Sequence, residues 1–256
     1  MKCLSTLLAA LCMCQVVSSQ NGPSPDRAQW QVRRSIIKLN LTSPILKNYA
    51  VQYEQVINKF LSVAFSGRIM PAATLPFKNE IKNRIVKEDI ELVDDIVDKM
   101  KFTNYALTPE LRFYLGRKGY GRGFYIGPYY RFAQYKIPGN TLSFDESGEQ
   151  YTIDISGKVT AHTGGLLMGA QWQLGKSLGL DFWIAGPGLG TARGTIAGLS
   201  DPLLTPDNQE ELRKQLEKID IPLTKETIYV DATGAKIDLD GPWAGIRTGL
   251  LLSFRF

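Results

Sequence analysis

The chain has 256 residues, of which 44% are hydrophobic and 21% charged, and its 30 basic and 25 acidic residues give a net charge of +5. This composition excludes a disordered chain, and the mild, scattered positive charge gives no indication of nucleic-acid binding. No segment has 18 consecutive apolar residues, which excludes a bundle of transmembrane helices.

The start of the chain predicts a secretory signal peptide over residues 1–19. An apolar run from Leu7 to Val17 follows Lys2 and is too short to span a bilayer. We expect cleavage before Gln20 and a short periplasmic segment over residues 20–35. A lipoprotein, cleaved within the apolar run, is the weaker alternative. The cysteines all lie inside the signal, so the exported chain is expected to lack disulfides and thiolate chemistry; they are Cys3, Cys12 and Cys14.

From residue 36 onward, eight segments alternate apolar and polar residues with a period of two, which is typical of strands with two different faces. The segments are 36–41, 49–56, 61–69, 106–115, 123–132, 165–174, 178–186 and 249–256. In the final segment, "GLLLSFRF", Leu250, Leu252, Phe254 and Phe256 form the apolar face.

The predicted connections alternate in length. Strands two and three are joined by "INK", strands four and five by "GRKGYGR", and strands six and seven by "GKS". The opposite side carries a helix-like stretch at 87–100, a polar loop at 138–150 and a long segment before the final strand. That segment includes a predicted helix and a hairpin at 227–239. In the helix, Asp207 and Glu210 have capping-box spacing, and the apolar stripe is Leu212, Leu216 and Ile219.

An even number of strands with this asymmetry of connections is typical of a bacterial transmembrane β-barrel. We therefore predict an all-β, antiparallel, eight-stranded barrel over residues 36–256, with short periplasmic turns and extracellular inserts at about 71–102 and 198–242. In such a barrel the final strand is a full member of the sheet, its apolar face contacts lipid, and Phe256 is expected at the inner interface of the membrane. A soluble sandwich with the same faces turned inward is the alternative.

Four stretches of the chain resemble the small eight-stranded outer-membrane barrels of the OmpA/OmpX-like superfamily, and more closely an uncharacterised family of such barrels from Gram-negative bacteria. They are "ALTPELRFYL", "GFYIGPYYRF", "LLMGAQWQLGKSLGLDFWIAGPGLG" and "GLLLSFRF". The resemblance covers nearly all of residues 36–256 and implies the barrel fold and an outer-membrane location, but no activity. Phe254 and Phe256 resemble the signal that the outer-membrane insertion machinery reads.

The alternation places a set of charged residues inside the predicted barrel. Eight strands enclose an interior just wide enough to be filled by side chains, and buried charges must be paired. We therefore predict a lumen ion-pair network formed by Lys38, Glu54, Arg68, Glu110, Arg112, Arg131, Asp181 and Arg247. Glu110 is expected to neutralise either Arg112 or Arg131. Asp181 or Glu54 is expected to neutralise the remaining arginine from across the interior. Because arginines outnumber the carboxylates in this set, a narrow pore that prefers anions is the alternative interpretation.

No motif in the chain indicates catalysis, a cofactor or a metal. His162 is the only histidine and shares the outward parity of Leu166 and Met168, with no serine or aspartate fixed beside it. "GPGLG" at 186–190 lacks the following helix that a dinucleotide loop requires. We also expect β-bulges at the three strand prolines, because proline lacks the N–H that a ladder needs; they are Pro109, Pro128 and Pro187.

The sequence thus predicts a non-enzymatic outer-membrane barrel, either structural or an accessory subunit of an outer-membrane complex, that presents its extracellular loops. A narrow pore for small solutes or anions is the alternative. The expected partners are outer-membrane lipid, the insertion machinery during assembly, and a protein partner contacted through the loops; no nucleic acid is expected. The apolar stripes of the loop helices either pack on the barrel mouth or dock such a partner.

Overall fold

The computed structural model describes residues 33–74, 100–146, 149–217 and 224–256. The predicted signal peptide with its three cysteines lies outside these ranges. So do most of the predicted segment 20–35 and all but the last residue of the helix-like stretch 87–100. No helix within the described residues is long and apolar enough to cross a membrane.

Nine strands form one antiparallel sheet. They are β1 (Ser35–Asn40), β2 (Tyr49–Val56), β3 (Leu61–Thr74), β4 (Lys101–Tyr114), β5 (Gly123–Glu146), β6 (Glu149–Gln173), β7 (Leu178–Asp201), β8 (Lys225–Asp231) and β9 (Gly234–Arg255). Their order is β1-β2-β3-β4-β5-β6-β7-β9-β8, and β9 also pairs with β1. Strands β1–β7 and β9 therefore close into a ring of eight, which confirms the predicted all-β antiparallel barrel. Strand β8 is an additional strand that the prediction placed only within a loop hairpin.

The ring closes between its first and its final strand. Ile36 pairs with Arg255 and Asn40 with Leu251. The Ser35 N–H donates to the Phe256 carbonyl at 3.3 Å, and the Phe256 N–H donates to the Ser35 carbonyl at 2.9 Å. Because these backbone groups are paired, the final strand is a full member of the ladder and the ring has no open edge at this level.

The two ends of the ring differ. At one end, here called the turn end, the connections are 57–60, 115–122 and 174–177. At the other, the loop end, a 3-10 helix (Ser43–Leu46) lies between β1 and β2, and an α-helix, α1 (Pro206–Glu217), lies between β7 and β8. The predicted asymmetry of connections is therefore present in the described part of the chain.

Four strands continue past the rest of the ring at the loop end. Strands β5, β6 and β7 have 24, 25 and 24 residues and β9 has 22, whereas β4 stops pairing with β5 at Thr103 and Lys136. The continuation is here called the projecting sheet and consists of residues 137–146, 149–161, 191–201, 225–231 and 234–242.

The prediction of a polar loop at 138–150 is therefore wrong, because the chain forms strands on both sides of residues 147–148. The insert predicted at about 198–242 likewise contains β8 and the first residues of β9. A strand that is solvated on its outer face and only partly covered on its inner face needs no strict apolar alternation, so a periodicity criterion misses it.

The bulges predicted at the prolines occur at one position of three. A register shift lies between Trp183 and Gly186 on β7, next to Pro187. Pro109 and Pro128 pair with Phe65 and Leu166 in unshifted register, so the prediction is wrong there. The missing proline N–H groups instead interrupt the β4–β5 ladder, in which Pro109 and Pro128 have no paired partner.

Helix α1 begins earlier than its predicted capping box. It starts at Pro206, and the Thr205 hydroxyl accepts a hydrogen bond from the Asn208 N–H at 3.3 Å. Asp207 therefore lies in the first turn rather than at the cap. Threonine before a proline in the first helical position is a favourable start for a helix. The helix packs against β8, where Arg213 donates to the Val230 carbonyl at 3.2 Å.

Candidate functional site

The outward face of the ring carries large apolar side chains that are substantially exposed. On β4, outward Tyr105, Leu107, Leu111 and Phe113 are 38–45% exposed. The same face on the other strands of the ring carries Ile37, Leu39, Val51, Tyr53, Val63, Phe65, Phe124, Tyr130, Leu166, Met168, Trp172, Phe182, Ile184, Ile246, Leu252 and Phe254. Soluble monomers rarely expose a contiguous apolar surface that encircles the molecule. We call this surface the apolar belt.

The apolar belt ends at one level of the sheet. Phe132, His162 and Thr191 lie side by side on β5, β6 and β7. Beyond this row the outward face of the projecting sheet carries ion pairs, with Arg193 and Asp240 joined at 3.0 Å. Hydrogen bonds from Lys236 and Thr195 hold the pKa of Asp238 below its usual value on the same face. Beyond this row the outward surface thus carries charged pairs among its side chains, with Leu199 also exposed there.

His162 lies on the outward face, as its parity predicts. Its Nδ1 is 2.5 Å from the Tyr130 hydroxyl, and its ring contacts Phe132 edge-on at 5.4 Å between centroids. No carboxylate or serine is its hydrogen-bond partner among the described residues. The same part of the chain contains no group of three or more metal-ligating side chains. His162 therefore belongs to an aromatic row at the edge of the apolar belt.

The inward face holds a buried charge network near the turn end of the ring. Its first acceptor is Glu54, whose Oε1 accepts from Ser62 at 2.6 Å and Tyr114 at 2.7 Å. Its Oε2 accepts from Lys38, and from Arg112 at 3.1 Å. Four donors from three other strands thus converge on one carboxylate.

Asp181 is the second acceptor of the network. Its Oδ2 accepts from Lys38 and from Arg112, both at 2.6 Å, and its Oδ1 accepts from the Tyr125 hydroxyl at 2.8 Å. The Arg112 guanidinium lies over the Tyr125 ring, 4.3 Å from its centroid. The side chains of Lys38, Glu54, Arg112 and Asp181 are 0% exposed. Lys38 and Arg112 are therefore each held between the same two carboxylates.

Glu110 links this cluster to Arg247, nearer the loop end. Its Oε1 accepts from Arg112 Nε at 2.5 Å, and its Oε2 accepts from Arg247 Nη1 at 3.0 Å. The Arg247 guanidinium lies between two aromatic rings, 4.4 Å from Trp183 and 4.5 Å from Tyr129. Glu110 therefore bridges two arginines on opposite sides of the interior.

The six residues form an electrically neutral group. Lys38, Arg112 and Arg247 are the cations, and Glu54, Glu110 and Asp181 are the anions. At the turn end, Arg255 donates to the carbonyls of Tyr120 at 2.8 Å and Gly121 at 3.0 Å. The interior of the ring is thus filled by paired side chains at this level, in agreement with the small bore of an eight-stranded barrel.

Arg68 and Arg131, the other two residues predicted for the network, lie outside it toward the loop end. Arg68 Nη2 donates to the Asn104 side chain at 2.6 Å. Neither arginine forms an ion pair with a carboxylate of the described residues, and the Nε atom of each is buried without a hydrogen-bond partner there. The predicted pairing of Arg131 with Glu110, Glu54 or Asp181 is therefore wrong, because Arg112, Lys38 and Arg247 occupy those carboxylates.

Aromatic residues of the interior were not predicted from the sequence. Tyr114, Tyr125, Tyr129 and Trp183 form one buried cluster with Leu167 and Leu251. Inward glycines leave room for these rings: a Cβ added at Gly169 would lie 2.4 Å from the Tyr125 ring. The signal available in the sequence was the shared parity of the tyrosines with the inward glycines and arginines.

Phe254 and Phe256, predicted as an insertion signal, lie on the outward face at the turn end. Both are half exposed, and their rings are stacked with centroids 6.4 Å apart. They continue the apolar belt to the edge of the ring.

The model of one protein family, described as "Protein of unknown function (DUF3575)", matches residues 7–195 of the chain. Searches of curated proteins and of solved structures find no match.

Proposed function

The chain belongs to the DUF3575 family, and we propose from its own residues that it is a non-enzymatic outer-membrane β-barrel that presents the projecting sheet outside the membrane, as a structural or accessory subunit of an outer-membrane complex. The finer resemblance to OmpA/OmpX-like barrels belongs to this proposal. Under this proposal the turn end of the ring faces the periplasm, and Phe254 and Phe256 contribute the signal for insertion into the outer membrane.

The observation that carries the proposal is the inverted distribution of polarity across the ring. Charged side chains are fully buried inside, while large apolar side chains are exposed outside. In water this outward surface would be unfavourable, whereas in lipid it is the expected one. From Tyr105 to Leu115 the belt is about 26 Å high, at about 3.4 Å per residue and a strand tilt of about 40°, close to the hydrocarbon thickness of an outer membrane.

Two leucine-to-arginine variants test this directly. Leu111 lies within the apolar belt on β4, and Leu199 is 61% exposed on the outward face of the projecting sheet. We expect Leu111→Arg to destabilise the chain folded into lipid vesicles by about 2–4 kcal/mol, as for an arginine near the midplane of a bilayer. Leu199→Arg is expected to change the stability little. Equal effects of the two variants would contradict the assignment of the belt to lipid.

The accessory role rests on the projecting sheet. Strands of 22–25 residues are at least twice the length of about 9–11 residues that spans a membrane, so roughly half of each lies beyond it. Surfaces carried on a rigid scaffold outside the membrane are where binding functions concentrate. The test is native electrophoresis of the detergent-solubilised outer membrane: a complex of defined stoichiometry supports a subunit, whereas a free monomer favours a purely structural role.

A narrow anion-preferring pore is the second candidate, favoured by the two unpaired arginines of the interior. The neutral network opposes it, because Lys38, Glu54, Arg112 and Asp181 are fully buried and would have to separate for a solute to pass. Single-channel recording in planar bilayers distinguishes the candidates. Sustained anion-selective conductance of the purified chain would replace the structural proposal with the pore.

A further inference from the structure

The charges of the interior do not balance once all of its described members are counted. The six-residue network is neutral, with three cations and three carboxylates. At the turn end, Arg255 is bound by the backbone carbonyls of Tyr120 and Gly121. Arg68 and Arg131 add two further positive charges on the inward face toward the loop end, and no carboxylate of the described chain lies within ion-pair distance of either. Since charges without a partner in the interior of the ring are costly, a compensating anion is expected at this position.

The register brings the two arginines to the same part of the interior. Arg68 on β3 pairs with Ala106 on β4, which pairs with Ala133 on β5, and Arg131 lies two residues from Ala133 on the same inward face. Ala106, Ala133, Ala161 and Ala192 form a row of small inward side chains on four successive strands. Tyr135, Val159 and Trp243 pack against this row, and the two arginines lie beside it on the inward face.

The side chains next to the two arginines are polar or aromatic. Asn104 accepts from Arg68, and Tyr135 lies beside Arg68 and Arg131. The Tyr135 ring packs on Trp243 with centroids 5.3 Å apart. Arg247 lies nearby but is already paired with Glu110. The available donors are therefore the guanidinium groups of Arg68 and Arg131, two residues that are only partly buried.

We propose that Arg68 and Arg131 form a binding site for a small oxyanion, a phosphate, sulfate or carboxylate, at the loop end of the interior. Guanidinium groups present planar pairs of N–H donors that match such anions and bind them with charge-assisted hydrogen bonds. The neutral network seals the floor of the site. Because the site faces the inside of the ring, its anion is a solute rather than the head group of a surrounding lipid. This inference requires neither the membrane location nor a protein partner.

The test is calorimetric titration of inorganic phosphate into the purified chain, folded in a lipid-free non-ionic detergent at low ionic strength. We expect saturable binding that chloride does not reproduce. Arg68→Gln and Arg131→Gln are each expected to weaken it by about tenfold or more, since each removes a charge-assisted contact with the anion. Arg193→Gln, which removes an exposed arginine paired with Asp240, is the matched control and is expected to bind like the wild type.

Thermal unfolding separates a binding role from a structural one. Phosphate is expected to raise the midpoint of the wild type and of Arg193→Gln, because it binds the folded state alone, and to leave Arg68→Gln and Arg131→Gln unchanged. Without phosphate the last two variants are expected to be at least as stable as the wild type, since each removes a repelling charge. Absence of saturable binding, phosphate binding unaffected by the variants, or affinity only for phospholipid vesicles would overturn the proposal. A chain that folds without detergent would contradict the membrane proposal and leave this test intact.

Discussion

Replacing Glu54 with glutamine should strongly destabilise the barrel. The substitution keeps the size of the side chain but removes a buried negative charge that accepts from Lys38, Arg112, Ser62 and Tyr114. At the 3.1 Å distance to Arg112, two unit charges attract by about 5 kcal/mol at an effective dielectric constant of about 20. Part of this lost attraction is offset, because the neutral glutamine amide costs less free energy to bury than a carboxylate. We expect a net loss of about 3–5 kcal/mol, as for other buried pairs that lose one partner.

The measurement is the free energy of unfolding in urea of the chain folded in detergent, followed by tryptophan fluorescence. Asp240→Asn is the matched control, because it breaks a carboxylate–arginine pair of similar length that is 54% and 78% exposed, and such pairs contribute at most about 1 kcal/mol. The double variant Lys38→Met, Glu54→Gln restores neutrality, so it should lose less stability than the two single variants together. Equal effects of Glu54→Gln and Asp240→Asn, or strict additivity in the double variant, would refute the neutral network.

Two further variants test the packing of the interior. Gly169→Ala should cost about 1–3 kcal/mol by overpacking against the Tyr125 ring, whereas Gly164→Ala on the same strand meets nothing within 4 Å and should be neutral or stabilising; equal stabilities of the two would contradict the inward position of the ring. Tyr125→Phe removes the hydroxyl that donates to Asp181 at 2.8 Å and should cost about 1.5–3 kcal/mol. Tyr229→Phe, at an exposed position, should unfold at the wild-type urea concentration, and a similar result for Tyr125→Phe would argue against that hydrogen bond.

The inside and outside of the strands could be predicted because a period of two assigns each side chain to one face. Lys38, Glu54, Glu110, Asp181 and Arg247 are inward and buried, as their parity requires. Which of them form pairs could not be predicted. Contacts across the interior depend on the stagger between strands, which alternation does not encode. Arg131 illustrates this limit, because the prediction of its inward face is correct and the prediction of its pairing with a carboxylate is wrong.

The projecting sheet could not be predicted for a different reason. Where a strand leaves the ring, its outward face is charged, as at Arg193 and Asp240, and its inward face is only partly covered. The apolar alternation that identifies strands in the ring therefore fades, and residues 138–150 have the composition of a loop. The aromatic interior was missed because the prediction of the lumen considered only charged side chains, although Tyr125 and Tyr129 share the inward parity of Arg131 and a Cβ at Gly169 would contact the Tyr125 ring.

Location is tested most directly by fractionation of a Gram-negative host that expresses the chain. Outer membranes are isolated and washed with urea and with alkaline carbonate, which remove peripheral proteins. A membrane barrel with the apolar belt described above should remain in the washed outer membrane, require detergent for extraction, and migrate differently on gels before and after boiling. Recovery of the folded chain as a water-soluble monomer from the periplasm, without detergent, would contradict the assignment of the belt to lipid.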